Sequence, residues 1–319
     1  MALAAPPDTA ADLRRGGIMA LLATMLWSCT SIFLDAIITG YGMTPLAVSC
    51  WRALLVAVAL GIVLATRYPA GFYLSRRETA YYFVYGAVGI GLFNVVWSTS
   101  VQVNRAAVAT ALFFSAPAFV AIGERLIFKT PLLLVHCAAI AVTLAGCGLV
   151  AGLSSPAAVL HNPTGLLLGL ASGGAFSLYT LLGRGVARRG RRSSLTVLFY
   201  TFGFAALSLL PIGLASAGPA FLAPPLDSYG WVLLLALTFG PTLGGYACYN
   251  ASLRYLSATR VSLLTTLEPP ITAVLALLFL GRSLNAPQWL GAAFIMAGVL
   301  FIQRPSSWRW FSRRPAPSP

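Results

Sequence analysis

Apolar residues fill this chain in long runs separated by short basic loops, spanning roughly 17–38, 45–65, 80–102, 106–128, 131–152, 164–186, 195–216, 229–252, 258–280 and 287–303. At 1.5 Å per residue, about 20 helical residues cross a hydrocarbon core of about 30 Å. In lipid the backbone must satisfy its own hydrogen bonds, and runs of this length do so only as helices. Composition agrees: 58% of residues are hydrophobic and 9% are charged, where a soluble domain carries roughly 25% charged residues. The expected fold class is an all-α polytopic membrane protein of ten transmembrane helices.

The net charge of +14 would suggest nucleic acid in a soluble protein. Here the basic residues lie in the loops and read as topology signals and contacts to anionic membrane lipids. With the N-terminus placed in the cytoplasm, eighteen basic residues fall on the inner side, among them Arg14, Arg76, Arg77, Arg184, Arg188 and Arg304. Only Arg105 and Arg282 fall on the outer side, and Arg52 lies within a span. That bias puts both termini inside. Arg14 and Arg15 precede an apolar run of spanning length with no small-residue cleavage site, so it reads as an uncleaved first helix. The five cysteines lie in apolar stretches without a Cys-x-x-Cys, and read as free thiols. The histidines, His136 and His161, cannot assemble a metal cluster, and no cofactor is expected.

Residues 258–281 hold the most informative run, ATRVSLLTTLEPPITAVLALLFLG. Glu268 lies near its middle, followed by Pro269 and Pro270. Consecutive prolines interrupt a helix, and an ionisable group inside a span points to function. The plainer alternative is a kinked packing helix whose acid caps the freed backbone. Protonated, Glu268 suits an apolar cavity; ionised, it requires a cation from a solute amine or an arginine. A group that exchanges between these states suits proton-linked transport.

Five spans in each half place the second half in the membrane from the opposite side, the arrangement of an inverted repeat. A shift of 153 residues sets Val108 on Val261, Pro117 on Pro270 and Lys129 on Arg282. A shift of 152 sets Ala145-Gly146 on Ala297-Gly298. The domain reading is therefore residues 1–16, a short cytoplasmic N-terminus; 17–152, the first five-helix repeat; 164–303, the second; and 304–319, a basic, Pro-rich cytoplasmic tail. Gly165, Gly169 and Gly173, like Gly240 and Gly244, are spaced for close helix packing.

Other polar groups in the spans are few. Asn94, Trp97 and Ser98 share a face of the third span, and Tyr246, Tyr249 and Asn250 lie together on the eighth. Aromatic and amide groups on one face suit a cavity for a small amphipathic solute. Trp27 on the first span, and Phe176 and Tyr179 on the sixth, are corresponding candidates; each taken singly also suits packing. Asp35 and Arg52 lie at similar depths and are expected to pair, as a brace or an outer gate. Glu124, one residue before Arg125 and five before Lys129, reads as a solvated or locally paired rim acid near a span end rather than a site residue.

Ser262-Leu-Leu-Thr-Thr-Leu-Glu268-Pro-Pro270, Trp289 to Gly298, Asn104 to Thr110, Ala116-Pro117, Ala145-Gly146 and Trp27 resemble the drug/metabolite transporter superfamily, EamA type, over nearly the whole chain. The resemblance implies an inner-membrane secondary carrier, often an exporter of amino acids or other small metabolites, with a central cavity between two halves. Where that family commonly has the glutamate of a Gly-Glu pair, this chain has Lys129 and Arg282, so no role of those acids carries over.

The expected function is alternating access by two bundles around a midplane site near Glu268, moving a small amphipathic metabolite such as an amino acid outward. Protons are the candidate coupling ion, and the assembly is a monomer or homodimer. An importer of a vitamin or osmolyte is the alternative within the class. An intramembrane lipid-modifying enzyme would need a nucleophile–base or metal set that the sequence lacks. No phosphate-binding Gly-x-x-x-x-Gly-Lys loop is present either.

Overall fold

The computed structural model describes residues 10–130, 134–150, 163–190, 192–280 and 285–303. Every regular element among them is helical. In chain order the α-helices are α1 (Ala10–Ser28), α2 (Thr30–Tyr41), α3 (Pro45–Arg67), α4 (Arg76–Phe83), α5 (Phe93–Phe113), α6 (Ala116–Phe128) and α7 (Leu134–Val150). Then come α8 (Pro163–Arg189), α9 (Ser194–Ala217), α10 (Ser228–Leu237), α11 (Gly245–Tyr255), α12 (Ala258–Thr265), α13 (Glu268–Leu280) and α14 (Ala286–Gln303). Six continuous helical runs are long and apolar enough to cross a membrane: Ala10–Tyr41, Pro45–Arg67, Arg76–Val103, Pro163–Arg189, Ser194–Leu222 and Ser228–Tyr255. Large apolar side chains such as Ile62, Leu126, Leu167 and Leu207 face outward, as lipid permits and water does not.

The polar loops start the helices. Thr44, Ser75, Ser193, Asp227 and Ser257 each accept a backbone N–H from the first turn of the helix that follows, replacing a bond the helix cannot make for itself. Gly42, in the left-handed region at φ 69°, closes α2. Lys129 does the same for α6 at φ 55°, a conformation that usually falls to glycine.

The interior is broken where it matters. Wider π-helical turns run over Val84–Leu92 and Thr238–Gly244. The first long run breaks at Cys29, between α1 and α2. Two further breaks fall at Phe114–Ser115 and Thr266–Leu267, each just before prolines seated in the first turn of the next half-helix. There a missing N–H costs nothing, because first-turn donors have no intrahelical acceptor. The bend also allows Glu268 to open α13, where a carboxylate favours the positive helix end.

Helix α5 runs over 21 residues, yet the Phe93 and Phe113 rings at its ends lie 5.4 Å apart. A straight helix of that length would separate its ends by about 30 Å, so the chain doubles back within it.

Packing interleaves the two halves of the chain. Helix α1 packs on α11, α12 and α13, while α8 packs on the Val84–Leu92 turn, α5 and α6. Gly173 makes the second contact possible, since a Cβ there would stand 2.6 Å from the Ser115 hydroxyl and 2.9 Å from the Phe113 carbonyl. Gly169 similarly abuts Leu112. The expected stripe of Gly240 and Gly244 does not form such a seam. Both fall in the π-helical turn, and Gly240 faces open space. The close approach is instead at Gly245, where a Cβ would lie 2.4 Å from Trp27 Nε1.

Candidate functional site

The three breaks converge on one cavity of about 230 Å³. Its wall takes Trp27, Thr30 and Leu34 from the first run, and Pro45, Ser49 and Arg52 from α3. Phe93, Asn94, Trp97, Thr110 and Phe113 come from α5, Phe176 from α8, and Tyr246 from α11. Phe114, Ala116 and Pro117 line it at the second break, and Ser262, Thr265, Glu268, Pro269 and Thr272 along the broken α12–α13 segment. We call the end of the bundle where α1 begins proximal, and the end bearing the Gly42 turn distal. Leu34, Pro45 and Trp97 carry the cavity toward the distal end.

Glu268 is half-buried on this wall. Its backbone carbonyl accepts from the Ser28 hydroxyl at 3.3 Å, and Thr272 Oγ1 donates to the Ser28 carbonyl at 3.4 Å. These two hydroxyl-to-carbonyl bonds tie the first break to the third and hold the backbone that carries the carboxylate. Asn94 is held less freely than its sequence position suggests. Its Oδ1 accepts from Ser49 Oγ at 2.8 Å, and its Nδ2 donates to the Ile90 carbonyl at 2.7 Å.

The proximal side of the cavity is floored by rings. Trp27, 8% exposed, stands 5.0 Å from both Tyr246 and Tyr249, and 5.8 Å from Phe176. Beneath it, Tyr85 donates to Asn250 Oδ1 at 2.8 Å and Asn250 Nδ2 donates to the Tyr179 hydroxyl at 2.7 Å. The Tyr249 hydroxyl and Thr180 Oγ1 share a bond at 2.6 Å.

Of the sequence-selected residues, Glu268, Trp27, Asn94, Trp97, Tyr246 and Arg52 therefore meet on the cavity wall. Tyr179, Tyr249 and Asn250 lie below it in the hydrogen-bonded floor, and Ser98 is buried off the wall. The pair expected between Asp35 and Arg52 is absent among the described residues; Arg52 Nε instead donates to Thr242 Oγ1 at 2.7 Å. Thr30, Ser49, Thr110, Thr265 and Thr272 were not legible as site residues. The signal for several of them was proximity to a helix break.

Glu124 is neither solvated nor bonded to its sequence neighbours: it is 3% exposed and its hydrogen-bond partners lie more than a hundred residues away. Its carboxylate accepts from Ala258 N at 3.0 Å, Thr259 N at 2.9 Å and Thr259 Oγ1 at 2.6 Å, capping α12 from α6. The proximal end is fastened further by Tyr81, which donates to the Leu182 carbonyl at 2.6 Å. Glu78 joins it there, bound by Arg192 through two 2.8 Å bonds. At the distal end Tyr41 donates to Asp227 Oδ1 at 2.7 Å. Lys129 closes α6 outside the cavity, and Arg282 lies outside the described residues.

Residues 14–152 and 163–304 each match the EamA-like transporter family. The chain is 25% identical over 295 residues to an uncharacterized inner membrane transporter, YicL, of Salmonella typhimurium, covering 91% of this chain and 95% of that one. It is 27% identical over 252 residues to the threonine/homoserine exporter RhtA of Escherichia coli K12, covering 78% and 79%. A solved crystal structure of 17% identity superposes with a TM-score of 0.74 over 90% of this chain and 96% of that one, a likeness of fold.

Proposed function

The chain belongs to the EamA-like transporter family, and from that premise we propose that it is a secondary exporter of small amphipathic metabolites such as amino acids, working by alternating access. It is a transporter and not an enzyme. The observation that carries the finer reading is the cavity where three helix breaks meet, with Glu268 on its wall among Trp27, Trp97, Phe176 and Tyr246. A volume of about 230 Å³ falls below the roughly 300–1,000 Å³ of pockets for drug-sized ligands, which favours a metabolite of amino-acid size. A cavity fastened at the proximal end and reaching toward the distal end suits one conformation of an alternating-access cycle. The related threonine/homoserine exporter supports an amino-acid solute and outward movement.

We read the architecture as ten spans in two inverted repeats within the inner membrane, both termini cytoplasmic, so that the proximal end faces the cytoplasm. The reciprocal packing of α1 and α8 supports this reading. So does the recurrence of the break at Phe114–Ser115 in the break at Thr266–Leu267, at the 152-residue shift that also sets Ala145-Gly146 on Ala297-Gly298. Protons are the coupling ion that Glu268 suggests. The test is solute counterflow in proteoliposomes over amino acids and small cations. Labelled amino acid accumulating against an unlabelled internal pool is the expected result. Exchange of cations alone, or of no solute, would overturn the reading.

A further inference from the structure

Arg52 stands on the cavity wall with no carboxylate within ion-pair distance among the described residues. Its Nε is tied to Thr242 Oγ1 at 2.7 Å, and that hydroxyl itself donates to the Leu237 carbonyl at 2.9 Å across the wide π-helical turn. One edge of the guanidinium is thereby fixed by a chain of two bonds. Asp35 does not pair with it, and Glu268 does not come within ion-pair distance of it, although both Arg52 and Glu268 act electrostatically on Tyr246. A guanidinium cannot shed its charge at physiological pH, so burial cannot be relieved by deprotonation. Within a membrane interior such a charge needs an anion, and where no described carboxylate lies within ion-pair distance the cavity's occupant is left to supply it.

We propose that Arg52 is the residue that determines solute specificity by binding the solute's carboxylate with its free Nη edge; this rests on the transport reading above. The fork of donors matches a carboxylate in a way that a point charge does not. Two features favour a monoanionic carboxylate over a phosphate. One guanidinium does not balance a dianion, and the Glu268 carboxylate shares the cavity and opposes a second negative charge. The solute then lies with its acid end on Arg52 and its remaining body against Trp27, Trp97 and Phe176. Thr242 is the positioning residue that aims the fork, acting through Nε.

The test uses the full-length carrier in proteoliposomes, with counterflow of labelled phenylalanine, threonine and 2-oxoisocaproate. Competitors are the methyl esters of the two amino acids, phenethylamine and unlabelled acids. In the wild type the esters and the amine compete about tenfold or more worse than the acids, since a site built for a charged group rejects analogues without it. Arg52→Gln raises the half-saturating acid concentration by about the same factor and abolishes the preference for acid over ester, while Arg52→Lys retains part of it. Esters or amines competing as well as acids in the wild type would overturn the assignment, whether or not either variant folds. A folded Arg52→Gln carrier that keeps the preference would overturn it too. Transport of 2-oxoisocaproate with rejection of both amino acids would keep Arg52 in this role and sink the amino-acid reading. Transport of no acid at all would sink both.

Discussion

Glu268 opens a half-helix on the wall of a cavity, and its carboxylate makes no hydrogen bond among the described residues. A side chain whose backbone is held against the first run by two hydroxyl-to-carbonyl bonds acts on whatever occupies the cavity. Glu268→Gln keeps the volume and removes the charge. It is expected to insert normally, to lower counterflow by about tenfold, the value of one charge-assisted hydrogen bond, and to flatten its pH dependence. Unchanged flux at every pH would remove Glu268 from the mechanism. Asp227 behaves differently because it sits in a loop. Its carboxyl is held below the ordinary carboxylate range, first by the Gly230 N–H and then by the Tyr41 hydroxyl. A depressed folded-state pKa contributes stability above the unfolded value and loses it as pH falls through the folded one. Thermal unfolding in detergent should therefore separate Asp227→Ala from wild type at neutral pH, with the two converging as the medium turns strongly acid.

At the scale of elements, the contact between α6 and α12 is the joint most exposed to a conformational cycle. Glu124 satisfies two first-turn donors and a hydroxyl of α12, with helix dipole and charge acting in the same direction. Opening the proximal end requires those bonds to break. Glu124→Ala should lower the stability of the closed end by about 2 kcal/mol, since buried donors are left unmet. A cysteine placed at Leu253, which is 0% exposed in the closed arrangement, should then react faster with an impermeant maleimide applied from the proximal side. Equal reactivity with and without Glu124 would show that the cap is only a local stabiliser of α12.

Across the whole molecule, orientation rests on where the basic loops lie. Cysteines introduced at Thr44 and Asp227, in an otherwise cysteine-free chain, should be labelled by impermeant reagent in intact cells. Cysteines at Ser75 and Ser193 should be labelled only after permeabilisation. These four positions cap helices at opposite ends of the bundle, so the pattern reads orientation directly. The reverse pattern would place the cavity's distal reach on the cytoplasmic side and reverse the assigned conformation. The interleaving of α1 with α11 to α13, and of α8 with α5 and α6, means that neither half is a free-standing bundle. In the proposed alternating-access cycle, the moving units would be drawn from both halves.

The apolar runs, the basic loops and the Glu-Pro-Pro interruption were legible without coordinates, because each is a local consequence of solvent and backbone chemistry. Lipid demands helices of a certain length, and a proline pair cannot continue one. Trp27, Asn94, Trp97 and Tyr246 were legible for the same kind of reason, as polar or aromatic groups where the bilayer allows few. The partners were not. Depth along a span is readable from residue count, which is why Asp35 and Arg52 looked matched. Azimuth around the helix and the neighbour it meets depend on how all the helices pack. That packing turned Arg52 toward Thr242, sent Tyr179, Tyr249 and Asn250 beneath the cavity, and buried Glu124 against a helix start more than a hundred residues away in sequence. Sequence alone determined which groups had to be accounted for inside the membrane; only the tertiary structure decided which of them answer one another and which are left facing a solute.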